Sequence, residues 1–159
     1  MLSYREFSAL EFLDPNLVNL DEKTVSFSMD FYFRYLMGHS RYCVSALSEG
    51  AVAGYIIGNS GKYRETETLY SHVTALSVAP AWRRFGVGRR LLQLYRMNAE
   101  MDCSEFTDLF VRASNEAAIH FYEKQGYIKH ERIEEYYAEP VEDAYDMRLY
   151  KSALEGLNK

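Results

Sequence analysis

The junction between residues 78 and 90 constrains the fold more than any other part of the chain. It reads Val-Ala-Pro-Ala-Trp-Arg-Arg-Phe-Gly-Val-Gly-Arg-Arg, so a strand ends at Pro80 and a helix begins near Gly86. The first N–H groups of a helix have no partner within it and carry partial positive charge. Glycines let phosphates approach that backbone closely, and arginines bind them through paired hydrogen bonds. The junction therefore predicts a diphosphate site.

Two well-known phosphate motifs do not account for this pattern. Gly88 is not followed by Lys and then Ser or Thr, as a Walker A loop requires, and the dinucleotide fingerprint Gly-x-Gly-x-x-Gly is absent. An ordinary loop that ends in a helix cap is the alternative for a glycine-rich turn beside arginines. The junction taken alone leaves both interpretations open.

The size and composition of the chain limit its class. A length of 159 residues suits a single domain over 1–159, and 48% hydrophobic with 26% charged residues is typical of a globular protein. No apolar run is long enough to span a bilayer and the first residues carry no signal pattern, so we expect a cytoplasmic protein that does not enter a membrane. A net charge of −5 argues against a broad nucleic-acid-binding face.

The two cysteines predict neither a disulfide nor a metal site. Cys43 and Cys103 lie far apart in the sequence, and no His/Cys cluster stands near either of them. We therefore expect two reduced thiols in the core and no bound metal.

Hydrophobic periodicity and turn residues divide the chain into elements in the order ααβββαβαββ. The predicted helices begin at a Ser8–Glu11 capping box and cover 29–37, 86–101 and 115–124. The predicted strands cover 42–47, 52–57, 70–78, 106–111, 127–133 and 144–150. Residues 58–64 are expected to form a polar loop, and Tyr136, Tyr137 and Pro140 to lie in the loop before the last strand. This order predicts a mixed α/β domain around a twisted sheet.

Two separated motifs make this chain similar to a known superfamily. The first is Arg83-x-x-Gly86-x-Gly88 after the strand 76–80, and the second is Asn-x-x-Ala-x-x-Phe-Tyr-x-x-x-Gly-Tyr over 115–127. Together they resemble the coenzyme A motif and the fourth-helix signature of GNAT acetyltransferases. The resemblance implies a single GNAT domain with a mixed sheet that splays open between strands 4 and 5, about four flanking helices, and acetyl-CoA as co-substrate.

A narrower resemblance concerns residues 72–78, 108–112, 135–137 and 142–148, which look like the catalytic subunits of N-terminal acetyltransferase B (NatB). It implies direct transfer of acetyl, in a ternary complex, to the α-amino group of proteins that begin Met-Asp, Met-Glu, Met-Asn or Met-Gln. It also implies a large helical auxiliary subunit and, through it, the ribosome. The aromatic-rich segment 29–37 and the apolar residues Leu10, Phe12 and Leu13 are candidates for that contact, with core packing as the alternative.

The resemblance assigns coenzyme roles to particular residues. Backbone groups of Leu76 and Val78 are expected to hold the pantetheine arm, with Asn115 on the opposite side, and a free N–H near Leu76 to stabilise the oxyanion. Tyr122 is expected to protonate the leaving thiolate. The alternatives are ordinary strand residues, a helix N-cap and a packing tyrosine. The diphosphate is expected to contact the side chain of Arg83 and the backbone of Arg84, Phe85, Gly86, Val87, Gly88 and Arg89.

The expected peptide site is formed by Phe27, His72, Thr74, Tyr136 and Tyr137. Since a protein α-amino group has a pKa near 7.7–8.0, the reaction needs only modest help from a base. His72 is either that base, acting through water, or a contact for the substrate's second side chain, and a structural histidine is the alternative. Val25 and Phe27 stand where the family usually has an acidic residue and a Tyr, and the stretch between Tyr137 and Glu142 is short.

Two other functions remain open at this point. One is a GNAT enzyme for another amine, such as another N-terminal class, a lysine side chain or a small molecule. The other is a module that binds acetyl-CoA without catalysis, although the complete junction and Tyr122 argue against it.

Overall fold

The computed structural model describes residues 1–8, 11 and 27–151. Within them lie three α-helices, α1 (Met29–His39), α2 (Val87–Met101) and α3 (Glu116–Lys124). The seven strands are β1 (Leu2–Glu6), β2 (Cys43–Ser48), β3 (Ala51–Lys62), β4 (Leu69–Val78), β5 (Phe106–Arg112), β6 (Ile128–Ala138) and β7 (Val141–Tyr150). One-turn 3₁₀ helices cover Ser40–Tyr42 and Pro80–Trp82.

All seven strands belong to one mixed sheet, in the order β1-β2-β3-β4-β5-β7-β6. Every neighbouring pair is antiparallel except β4 and β5, which run parallel. Their pairing extends only from Tyr70↔Phe106 to Val73↔Leu109. Beyond this point the two strands separate, which confirms the predicted α/β fold with its opening between strands 4 and 5.

The sheet is packed on both faces. Leu91, Leu92 and Tyr95 of α2 are fully buried in a cluster that includes Val73 and Leu109. A second cluster places Tyr32 of α1 against the opposite face, with Phe7, Tyr55 and Ile57. Because side chains alternate along a strand, β4 contributes to both layers, and Val73 faces α2 while Thr74 contacts α1.

A β-bulge interrupts the pairing of β3 with β4 close to the opening. The register changes between Ile57↔Ala75 and Gly58↔Val73, so Thr74 is the extra residue on β4. A Cβ on Gly58 would lie 2.3 Å from the carbonyl oxygen of His72, so no other residue fits without a shift. Strand β3 continues past this glycine to Lys62. The predicted loop over 58–64 is therefore wrong for its first part, because polar residues there still pair with β4.

The amino-terminal region differs from the prediction in one respect. Strand β1 was not predicted; it pairs with β2 along the edge of the sheet. At the predicted capping box, the N–H of Ser8 donates to Glu11 Oε2 at 3.2 Å, and the rest of that predicted helix lies outside the described residues. The second predicted helix is confirmed as α1, with Ser28 as its N-cap.

The predicted loop around the tyrosine pair is wrong. Tyr136 and Tyr137 lie on β6, and only Glu139 and Pro140 separate that strand from β7. The ladder is nevertheless irregular just before them, because Glu135 has a φ of 50° and donates its N–H to Asp143. Another correction concerns Cys103, which is exposed after α2, whereas Cys43 is buried.

The described residues contain neither a helix suited to a membrane nor a cluster of metal ligands. None of their helices is both long and apolar enough to cross a bilayer. In the same part of the chain, no three His, Cys, Asp or Glu residues lie together so that they could hold a metal ion.

Candidate active site

A cavity of about 620 Å³ occupies the opening between β4 and β5 and extends to the starts of α2 and α3. Most of the predicted site residues line it: Phe27, Thr74, Leu76, Val78, Arg83, Arg84, Gly86, Val87, Gly88, Arg89, Asn115, Tyr122 and Tyr137. His72, Phe85 and Tyr136 are outside this lining. Phe85 projects into solvent from the same loop as the arginines, and the other two lie on the strands beside the cavity.

The start of α2 forms one end of the cavity. Gly86 is the N-cap with a φ of 80°, and no side chain caps the helix. The first hydrogen bond of the helix runs from the N–H of Arg90 to the oxygen of Gly86 at 3.0 Å. The three N–H groups before it, in residues 87–89, therefore have no partner within the helix. Since the first turn carries no acidic side chain, this end has the polarity that attracts an anion.

Arginines and a narrow gap complete this end. Nε of Arg83 donates to the carbonyl oxygen of Val78 at 3.0 Å, which holds the guanidinium over the end of β4. This hydrogen bond uses a backbone group that we predicted to hold the pantetheine arm. A Cβ on Gly88 would meet Val78 Cγ2 at 3.5 Å and Phe121 Cζ at 3.6 Å. Glycine thus keeps open a passage between β4 and α3. The donor set of main-chain N–H groups and arginines fits a diphosphate.

Helix α3 brings two predicted residues to the cavity wall. Oδ1 of Asn115 accepts the N–H of Ala118 at 3.3 Å, so this residue is both an N-cap and a cavity residue. Tyr122 is only 8% exposed, and its ring packs against Phe121 and Tyr127. Burial raises the pKa of Tyr122 well above its ordinary value, and the neighbouring Tyr137 adds to the effect. Its hydroxyl therefore stays protonated at physiological pH and is available as a hydrogen-bond donor.

His72 has a partner that the sequence reasoning did not identify. Its Nδ1 lies 2.7 Å from Oδ1 of Asp108, the residue opposite it in the parallel pair, and the two side chains are 19% and 5% exposed. Because Asp108 directly precedes the apolar run Leu109-Phe110-Val111, a charged residue at this point of the strand was a signal that a partner must exist. The pairing of the strands supplies that partner.

Tyr35 was also missed, because its helix resembles a simple apolar packing element. Its hydroxyl oxygen accepts hydrogen bonds from Oγ1 of Thr74 at 3.0 Å and from Nδ2 of Asn59 at 3.3 Å. Phe27 stacks on Phe31 of the same helix, with ring centroids 4.2 Å apart. Helix α1 thus forms a polar and aromatic wall beside β4.

The third missed residue is Arg112, at the end of β5. Its guanidinium donates to the carbonyl oxygens of Glu139 and Pro140 and to Oε2 of Glu142, at 3.1–3.3 Å. The same group lies 4.0 Å from the ring centroid of Tyr137, whose pKa is raised to about 12, chiefly by burial. Arg112 therefore fixes the β6–β7 turn and one of the predicted peptide-binding tyrosines against the cavity.

Phe110 connects the remaining groups on this face. Its ring lies 5.3 Å from that of His72 and 4.8 Å from that of Tyr136, and its carbonyl oxygen accepts the Tyr137 hydroxyl at 3.4 Å. The structure thus brings His72 and both tyrosines together around one phenylalanine. The catalytic and binding roles that we predicted for the site residues remain predictions.

Residues 9–127 match the Acetyltransferase (GNAT) family, and the chain therefore belongs to that family. The catalytic subunit naa20 of the N-terminal acetyltransferase B complex of Schizosaccharomyces pombe is 40% identical over 155 residues, covering 93% of this chain and 84% of that protein.

Two solved structures are similar over almost the whole chain. Naa20 of Chaetomium thermophilum, crystallised with a bisubstrate analogue, is 31% identical with a TM-score of 0.90, over 95% of this chain and 87% of its own. A chain of the NatB acetyltransferase complex bound to CoA and MES is 28% identical with a TM-score of 0.85, over 93% and 98%. These similarities confirm the resemblance that the sequence motifs indicated.

Proposed function

We propose that this chain transfers the acetyl group of acetyl-CoA to the α-amino group of protein N-termini. The observation that carries the proposal is that one cavity joins two different chemical environments. At one end are uncapped helix N–H groups and arginines, and at the other are the side chains of Phe27, Thr74, Phe110 and Tyr137. A phosphate-bearing donor and an extended acceptor can therefore meet inside the sheet.

The coenzyme end fits the donor by its chemistry. The arginines and the N–H groups of residues 87–89 would hold the diphosphate, and the edge of β4 beyond Val73, which no longer pairs with β5, would face the pantetheine arm. When bound, acetyl-CoA supplies a thioester whose acyl carbon is the electrophile. The NatB complex structure with CoA supports this assignment by similarity.

Tyr122 is the residue best placed to serve the leaving sulfur. Its raised pKa keeps the proton on the phenol, while an ordinary thiol has a pKa near 8.5. Complete transfer of the Tyr122 proton to a thiolate would therefore run uphill. The hydroxyl is better suited to hydrogen-bond the thiolate as it departs, and the α-amino group, neutral in a useful fraction at physiological pH, needs no strong base.

The peptide end supports an N-terminus that begins Met-Asp, Met-Glu, Met-Asn or Met-Gln. Phe27 lines the cavity and offers a flat apolar surface to a methionine side chain. His72, Thr74 and Tyr35 place polar atoms side by side on the face of β4 that a second residue would reach. The names of the similar proteins, which include catalytic subunits of the N-terminal acetyltransferase B complex, support the same specificity. Residue 25, one of the two departures, lies outside the described residues.

We propose further that the chain works in the cytoplasm with a helical auxiliary subunit, and through it near the ribosome. The exposed side of α1 carries Met29, Phe33 and Met37 four residues apart, which makes an apolar stripe suitable for a helix of a partner. The relatives that are named as subunits of a complex support this proposal.

The test is transfer of labelled acetyl from acetyl-CoA to a panel of peptides, with the chain alone and with the auxiliary subunit of a relative. Peptides that begin Met-Asp, Met-Glu, Met-Asn and Met-Gln should react at least about tenfold faster than those that begin Ser-Ala or Met-Leu. A peptide with a blocked amino terminus and an internal lysine is the control. Preference for that control would reveal a lysine acetyltransferase, and bound but unconsumed acetyl-CoA would reveal an inactive binding module.

A further inference from the structure

The pair formed by His72 and Asp108 has a chemical consequence for the substrate. A carboxylate only accepts hydrogen bonds, so with Nδ1 of His72 2.7 Å from Oδ1 of Asp108 the ring proton resides on Nδ1. The other ring nitrogen, Nε2, then accepts a hydrogen bond when the ring is neutral and donates one when the ring is protonated. Histidines commonly change between these two states near physiological pH.

The surroundings of the ring limit what else can act on it. Titratable groups close to this pair in the described part of the chain include Tyr70 on β4, Tyr35 on α1 and Tyr136 on β6, together with Asp146 and Arg148 on β7. Burial raises the pKa of Tyr70 and of Tyr136, so both stay neutral at physiological pH. Arg148 lies opposite Asp108 in the sheet, but its guanidinium bonds Asp146 at 2.7 Å and Tyr63 at 2.8 Å. Asp108 is therefore the charged group in direct contact with His72 among these residues.

An acidic and an amide side chain make different demands on Nε2. The amide of Asn or Gln can donate through its N–H groups or accept through its oxygen, so it suits the ring in either protonation state. The carboxylate of Asp or Glu can only accept, and beside a neutral ring it would face a lone pair with the negative charge of Asp108 behind it. An imidazolium between two carboxylates removes both conflicts, since the cation is attracted to each.

We infer that His72 binds one proton from solvent when a substrate with an acidic second residue docks, and binds none when the second residue is an amide. This inference rests on the proposed function and deepens it. Asp108 is a positioning residue: it holds the ring proton on Nδ1 and orients the ring without touching the substrate. Recognition of acidic N-termini is then coupled to pH, while recognition of amide N-termini is not.

The experiment compares two peptides that differ in one side chain, Met-Asp and Met-Asn, from about pH 6 to about pH 9. Both have the same reacting amine, so the ratio of their kcat/KM values cancels its ionisation. The ratio should be constant at low pH and then fall by up to about tenfold per pH unit. A ratio that stays constant over the whole range would overturn the inference.

Asp108→Asn separates charge from orientation, because the amide oxygen can still accept from Nδ1. The fall in the ratio should begin at a lower pH than in the wild type, since the carboxylate that attracts the imidazolium is gone. Asp102→Asn is the matched control, because that carboxylate accepts from Tyr42 and Arg41 at the far end of α2 and should leave the profile unchanged. If the pH dependence of the ratio is unchanged in the Asp108 variant, Asp108 has only a structural role and the inference is contradicted.

Proton uptake provides a second measurement that needs no variant. Calorimetric binding of the Met-Asp peptide in buffers of different ionisation enthalpy should show uptake of up to about one proton above the Met-Asn value. Equal uptake for the two peptides would overturn the inference even if the variant failed to fold. If neither peptide is acetylated or bound at any pH, the proposed function itself fails, which is a different result from acetylation with a constant ratio.

Discussion

The two ends of the cavity are built in different ways. The coenzyme end is formed by consecutive residues, 83–89, and by main-chain N–H groups of one helix start. The peptide end is assembled from side chains on α1, β4, β5 and β6. Main-chain donors are the same whatever the side chains are, so the first end suits a ligand that does not vary. Side chains from several elements can each be exchanged, so the second end is where specificity can change.

The two ends should therefore respond differently to substitution. At the coenzyme end, harm comes from added bulk that blocks the passage or from a change in backbone conformation. At the peptide end, harm comes from loss of one hydrogen-bonding or charged side chain while the backbone stays in place. Each of the following experiments tests one side of that contrast.

The largest effect is expected for Gly88→Val. A single Cβ there already reaches contact distance from Val78 and Phe121, and a branched side chain would fill the passage between β4 and α3. We expect the kcat/KM for acetyl-CoA to fall about a thousandfold, equivalent to about 4 kcal/mol of binding. Gly61→Val is the control, because nothing lies within 4 Å of a Cβ at that position. Equal losses in both variants would mean that bulk at the passage is not the cause.

Tyr122→Phe should have the next largest effect, at the point where the two ends meet. It removes a buried hydroxyl but keeps the ring, so we expect kcat to fall about a hundredfold with little change in either KM. Because the pKa of this tyrosine is raised, wild-type activity should not decline through its ionisation up to about pH 9. A decline that starts below that value and is absent from the variant would contradict the assignment.

Arg112→Lys should affect the peptide end alone. Lysine keeps the charge but cannot donate in two directions to the turn while stacking on Tyr137. We expect the KM for peptide to rise about tenfold while the KM for acetyl-CoA is unchanged, measured with a Met-Asp peptide. A parallel rise in both KM values would show that the two ends are less independent than their construction indicates.

The smallest expected effect is a change in the stability of the fold at acidic pH. The hydroxyl and N–H of Ser114, with Arg112, hold the pKa of Glu142 below its ordinary value of 4.5. The stability from this lowered pKa is therefore fully present above pH 4.5 and is lost as the pH falls through the folded-state value. Between about pH 5 and pH 3 the melting temperature should fall more steeply in the wild type than in Glu142→Gln. If the melting temperatures of the wild type and the variant fall in parallel, Glu142 does not contribute to the pH dependence of stability.

The contrast between the two ends also decides what the sequence could predict. Residues 83–89 lie together in the chain, so their spacing alone predicts the anion site, and local periodicity predicts α2 and most of the strands. His72 and Asp108 are 36 residues apart, and Thr74 and Tyr35 are 39 apart. Those contacts exist only because particular strands pair in a particular register, which periodicity cannot define. We predicted a loop for Tyr136 and Tyr137 because the irregular pairing of β6 with β7 leaves no clean alternating pattern in the sequence.

The short parallel seam between β4 and β5 makes the sheet two antiparallel blocks that share only a few residues of pairing. A ligand that fills the gap contacts both blocks and links them to each other. By mass action such a ligand stabilises the folded chain by about 2.7 kcal/mol when its concentration is a hundred times its dissociation constant. The lifetime of this enzyme would then follow the supply of the acetyl donor that it consumes.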